Sequence, residues 1–139
     1  MPRHFSAQEY NMRQKRAVTA VSDAALDAIL IFAPESHYWL TGYDTFGFAM
    51  FQCMILTAQG DIHLLTRAPD RLQALQTSTL SADNIHIWVD IEGVDPVAQL
   101  MTLLAELGVG PNRLGFETRT AGLTDYWGHR LRTALPNLE

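Results

Sequence analysis

A chain of 139 residues, 47% of them apolar, with a net charge of −5, is one domain, and at that length it buries roughly two-thirds of the surface its unfolded form exposes. The apolar content excludes disorder, and charges of both signs with no basic stripe among aromatics exclude nucleic-acid binding. The single cysteine, Cys53, excludes an internal disulfide framework and fits a reducing compartment.

The N-terminus has no apolar h-region and does not read as a signal peptide. Ser6 and Glu9 form a capping box, each satisfying a free backbone N–H, so a helix is predicted over 7–25. Tyr10, Ala17, Val21 and Ala24 share its inner face, and Arg13, Gln14, Lys15 and Arg16 its wet side. Ala28 to Phe32 is apolar without alternation and reads as an interior strand covered on both faces. The next segment, Pro34 to Phe48, must be a loop or short helix, yet it carries Tyr38, Trp39, Tyr43, Phe46 and Phe48. A surface built only for solvation does not concentrate rings this way. The segment packs under a covering partner or lines a pocket, and density of this kind is typical of core or subunit contacts.

Phe48 to Ala58 is a second strand, interrupted by Gln52 and shorter than the about 20 residues a membrane span needs. Gln59-Gly60-Asp61 turns the chain back into Ile62–Arg67, making an antiparallel hairpin. A short helix over 70–78 places Leu72 and Leu75 inward. Ile85 to Val89 alternates as a fourth strand. Asp95-Pro96 is an N-cap followed by proline at the first helical position, and the helix runs to about Leu107 with Gly108 ending it. Arg113 to Glu117 is a fifth strand, and a last helix covers about 124–135. This order predicts an α/β fold, a mixed β-sheet with one antiparallel hairpin flanked by helices. The stop at Asn137-Leu138-Glu139, without cap or tail, reads as a cut at a domain boundary.

Candidate chemistry is sparse. His4, His37, His63, His86 and His129 are far apart, with no i, i+4 pair and no H-E-x-x-H, so no metal site is expected in this chain. His63 and His86 are expected to point outward. Gly108-Val109-Gly110 with Gly115 follows a helix and precedes a strand, the wrong context for a dinucleotide fingerprint; a helix C-cap with a tight loop is the stronger reading. Cys53 reads as a buried, inert thiol. No G-x-S-x-G anchors a serine triad, so no catalytic residue is assigned. Arg67 ends a hairpin strand, where a guanidinium can grip a ligand carboxylate; on local grounds a solvated strand end or an ion pair with Asp70 is the stronger reading.

Taken in order, Phe5 to Tyr10 (FSAQEY) with Arg13, Leu26 to Phe32 (LDAILIF), Tyr38 to Tyr43 (YWLTGY), Leu64 to Arg67 (LLTR), Asp83-Asn84-Ile85 with Trp88, and Arg113 to Glu117 (RLGFE) resemble the N-terminal domain of the creatinase/prolidase family. That family comprises the pita-bread metallohydrolases: Xaa-Pro dipeptidases, aminopeptidase P and creatinase. The resemblance covers nearly the whole chain, residues 1–139 as a single domain. It implies a ribonuclease H-like layout, with catalysis in a C-terminal domain that holds two divalent metal ions (Mn, Zn or Co) on two Asp, one His and two Glu. It also implies a homodimer whose N-terminal domains reach the neighbour's active site. The chain alone is then inactive, with no cofactor of its own, and contributes Tyr38, Trp39, Tyr43, Phe46, Phe48 and Arg67 to a dimer contact or to the pocket for a small-molecule or peptide substrate. Where creatinases carry Phe-Gly-Arg, with the arginine on the substrate carboxylate, this chain has Phe46-Gly47-Phe48. Creatine hydrolysis is therefore disfavoured; an Xaa-Pro dipeptidase, or a relative cleaving another small amide, fits. A free-standing small-ligand-binding or assembly module using the same aromatic segment is the rival. The protein is expected to be cytoplasmic, with no membrane partner.

Overall fold

A computed structural model describes residues 3–109 and 113–139. Helix α1, Ala7–Asp23, starts where the capping pattern places it: the Ser6 hydroxyl accepts from the Glu9 N–H. Strand β1, Ala28–Ile31, leads into α2, Pro34–Thr41. Proline at the first helical position opens α2, and Gly42 closes it at φ 81°, a left-handed conformation that a Cβ would strain. A single 3₁₀ turn, Gly47–Ala49, occupies the first part of the predicted second strand, so β2 is only Cys53–Thr57. Strand β3, Ile62–Arg67, is followed by α3, Arg71–Thr77, and β4, Ile85–Trp88. Helix α4, Pro96–Glu106, is capped by Asp95, whose carboxylate accepts from the Val97 N–H. Strand β5 is Leu114–Phe116, and α5, Asp125–Ala134, is capped by the Thr124 hydroxyl.

The five strands form one sheet in the order β4-β3-β2-β1-β5. The predicted hairpin is present as the antiparallel β2–β3 pair. A second antiparallel pair, β1–β2, lies in the centre, because the long α2 segment reverses the chain before β2. The outer pairs β1–β5 and β3–β4 are parallel.

Period-two alternation divides the side chains between two faces. Leu30, Phe32, Cys53, Ile55, Leu65, Trp88 and Leu114 pack under α4 and α5, through Leu100, Leu103, Leu104, Leu131 and Leu135. Ile31, Met54, Leu56, Leu64 and Ile85 pack under α1, α2 and α3, with Val21, Leu40, Tyr43 and Ala74. Fifteen such buried side chains in the first cluster make the α4–α5 side the main core, and at roughly 25 cal/mol per Å² of apolar surface it is the chief stabilising term.

Two expectations about facing are corrected. Leu72 is 64% exposed, whereas Leu75 packs against the core as expected, beside the buried Ala74. Two positions before Ala74 in a 3.6-residue turn, Leu72 falls on the opposite side of the helix. Arg13 is buried although it was placed on the wet side of α1. Its guanidinium lies 4.0 Å from the centre of the Phe5 ring and is paired with Glu9 at 2.7 Å, and it donates to the Trp39 carbonyl. Aromatic faces and a carboxylate replace the lost water.

Candidate functional site: the aromatic rim at the end of strand β3

The residues singled out from sequence fall in three places. Tyr38 and Trp39 lie on the outer face of α2, where they line a shallow hollow with Phe5, Arg13, Glu35 and Asp44. Phe46 and Phe48 stand on the 3₁₀ turn and face solvent: Phe46 is 90% exposed, with Phe48 and Met50 beside it. Tyr43 is different. It is wholly buried in the core, stacked on His37, so it meets no ligand directly. Its hydroxyl donates to Gln52 Oε1 at 3.0 Å, which ties the core to the base of the aromatic turn. Burial pushes the Tyr43 phenol above its ordinary range and keeps it protonated.

That base is a polar lattice. The Gly47 N–H donates to the Thr45 hydroxyl at 2.8 Å, and Gln52 Nε2 reaches the same oxygen. A Cβ on Gly47 would lie 2.5 Å from Asp70 Oδ1 and closer still to Gln52 Nε2, so only glycine fits between these side chains. Asp70 accepts from Arg67 Nε at 3.3 Å, and Asp90 accepts from Arg67 Nη1 at 3.4 Å. The Trp88 indole donates to the Phe51 carbonyl at 3.0 Å. Arg67 is therefore held beside the turn by two carboxylates. The Asp70 partner was foreseen from sequence. Asp90 was not, because it sits 23 residues away and arrives only through the parallel β3–β4 register, which sets Arg67 opposite Trp88.

The remaining candidates behave as structural groups. Cys53 is completely buried, and burial pushes its thiol far up, away from thiolate chemistry. His37 is buried, and its Nε2–H donates to the Ile31 carbonyl at 2.8 Å, leaving Nδ1 without a partner; burial pushes this imidazole below its ordinary range. Glu117, just past the end of β5, accepts from the Phe32 and Ala33 N–H groups and from the Ser36 hydroxyl, and so caps the start of α2. Gly108 closes α4 at φ 68°, as a helix C-cap does; Gly110 lies outside the described residues. Among the described residues no three His, Cys, Asp or Glu side chains gather closely enough to hold a metal ion, so they do not fit a two-metal centre. Among them, too, no helix is long and apolar enough to cross a membrane.

The fold is that of a five-stranded mixed α/β domain with an aromatic rim at the end of β3. The chain belongs to the creatinase/prolidase N-terminal domain family, which it matches over residues 13–139. It is 31% identical over 102 residues, 73% of this chain, to the ectoine hydrolase of Halomonas elongata. The chain spans about a quarter of that relative's length, 26%. Its fold is similar to a proline dipeptidase structure from Streptococcus pneumoniae, with a TM-score of 0.74 at 19% identity, covering 91% of this chain and 87% of that one. It is likewise similar to the N-terminal domain of Xaa-Pro dipeptidase from Lactobacillus brevis, with a TM-score of 0.70 at 11% identity and the same coverages.

Proposed function

We propose that this domain is the non-catalytic N-terminal part of a metal-dependent hydrolase, and that two patches, Phe46 and Phe48 with Arg67, and Tyr38 with Trp39, serve contact with a second copy and the substrate pocket. The observation that carries this reading is the exposure of Phe46 and Phe48 on a turn whose base is fixed by Gly47, Gln52, Asp70 and Arg67. Exposed rings on a rigid mount fit a surface that another body covers. A mobile solvated loop has no use for a buried lattice beneath it.

In this reading, bond breaking takes place in a catalytic domain of the same polypeptide, which holds two divalent metal ions. Metal ions bound in that domain would supply an activated water and a Lewis acid for the scissile carbonyl. The groups of this domain do not transfer protons. They exclude water from the pocket rim, and Arg67, held by Asp70 and Asp90, fixes the rim's shape. The protein works as a cytoplasmic homodimer. Its substrate is an Xaa-Pro peptide or another small amide.

The second substrate class has a specific observation behind it: the 31% identity over 102 residues to an ectoine hydrolase. Assaying the whole protein with an Xaa-Pro dipeptide and with ectoine, each with added Mn²⁺, distinguishes the two.

The surface itself is tested by the double variant Phe46→Ala, Phe48→Ala of the whole protein. The dimer dissociation constant, measured by sedimentation, or the KM is expected to rise at least tenfold. Values of both within twofold of the wild type would remove the rim from the account.

A further inference from the structure

Strands β3 and β4 set two imidazoles side by side that the sequence keeps 23 residues apart. His63 Nδ1 lies 3.0 Å from His86 Nε2, with ring centres 5.2 Å apart and planes tilted by 37°. Both residues are half-buried. They share the sheet face that carries Ile55 and Leu65, near the strand starts, and β4 is the sheet edge. Both were expected to point outward; the structure adds that the two half-buried rings meet each other.

We propose that His63 and His86 form a two-histidine site for a borderline divalent transition-metal ion, such as Ni²⁺, Cu²⁺ or Zn²⁺, that pins edge strand β4 to β3. At 3.0 Å the two nitrogens share one proton, one ring donating and the other accepting. A metal ion replaces that shared proton. The donating ring moves its proton to its other nitrogen, both rings stay neutral, and each presents a lone pair.

The spacing suits this exchange. With metal–nitrogen bonds of about 2.0–2.1 Å, two ligands stand about 2.9 Å apart at a right angle and about 3.3 Å apart at the tetrahedral angle. The observed 3.0 Å lies between, and His χ2 rotates over a broad well, so small ring rotations converge the lone pairs. Imidazole pairs select Ni²⁺, Cu²⁺ and Zn²⁺ over Mg²⁺ or Ca²⁺, which prefer oxygen. Asp61 and Glu106 supply negative charge nearby without joining a cluster of three ligands. The open positions face solvent and are filled by water. This site is separate from the aromatic rim and from any catalytic metal pair.

Isothermal titration of the 139-residue chain with NiCl₂ tests it, alongside His63→Ala, His86→Gln and, as a control, His129→Ala. One Ni²⁺ per chain is expected. Each variant of the pair is expected to lose at least tenfold in affinity, while the His129 variant keeps the wild-type value. Circular dichroism checks that every variant is folded. Cu²⁺ bound to the wild type should show nitrogen hyperfine coupling from two imidazoles in its electron paramagnetic resonance spectrum, and that measurement does not depend on a variant folding. Less than a tenfold loss in both folded pair variants, or a spectrum with one imidazole or none, overturns the proposal.

Discussion

At the residue scale, Arg13 and Gly47 carry more than their types suggest. Arg13 spans from α1 to α2, through Glu9, the Trp39 carbonyl and the Phe5 face. Replacing Arg13 with alanine is expected to cost about 1–3 kcal/mol, since a charge-assisted hydrogen bond and a cation–π contact are both lost. Arg16→Ala, on the exposed side, should stay within about 0.5 kcal/mol. Urea denaturation of the two variants checks the contrast, and equal costs would deny the buried role of Arg13. Gly47→Ala forces a methyl group against the buried ends of Asp70 and Gln52 and should destabilise by about 1–3 kcal/mol, as overpacking does. The sequence makes such positions hard to read. Arg13 sits among Gln14, Lys15 and Arg16, and nothing local distinguishes the one buried cation. Tyr43 has the same difficulty: it looks like its neighbours Trp39 and Phe46, yet the end of α2 at Gly42 turns it into the core.

At the element scale, local signals placed most of the frame. Ser6 with Glu9, Asp95 with Pro96, Thr124, Gly42 and Gly108 mark helix ends by mechanisms that act over three or four residues, and the helices begin and end close to them. What failed were the facing of Leu72 in α3, and the start of β2, where the 3₁₀ turn displaced strand from Phe48 to Gln52. A continuous apolar run does not show where pairing begins, since pairing needs a partner strand. Two core leucines test the assigned phases: Leu100→Ala in α4 should cost about 2–5 kcal/mol, whereas Leu72→Ala in α3 should be nearly neutral. The junction of β1 and α2 sets an acid sensitivity through His37. Burial lowers its folded pKa below the ordinary 6.5, so between those values the unfolded chain binds more protons than the folded one. Stability from this group is therefore complete above about pH 6.5 and falls as the pH drops through the lowered value. The midpoint of thermal unfolding should decline from pH 7.5 to pH 5, and more shallowly in His37→Gln, despite that variant's lower starting stability. A profile as steep as the wild type's would assign the acid loss to other groups.

At the scale of the whole molecule, the sheet order explains what the chain offers. The central antiparallel pair and the two parallel flanks put the ends of β1, β3, β4 and β5 on one side, and there the aromatic turn, Arg67 and Glu117 sit. The family likeness in the sequence reached this architecture through ordered short motifs. Those motifs could not reveal which rings face out, because exposure depends on the packing of α2 and the 3₁₀ turn against α3 and β3. The domain thus provides a scaffold and a rim, with its buried thiol and imidazole locked in structural roles. The most direct test compares metal-dependent turnover, with added Mn²⁺, of an Xaa-Pro dipeptide and of ectoine by the whole protein and by this 139-residue chain alone. Hydrolysis of at least one substrate by the whole protein is expected, and none above background by the chain. Turnover by the chain alone would contradict it.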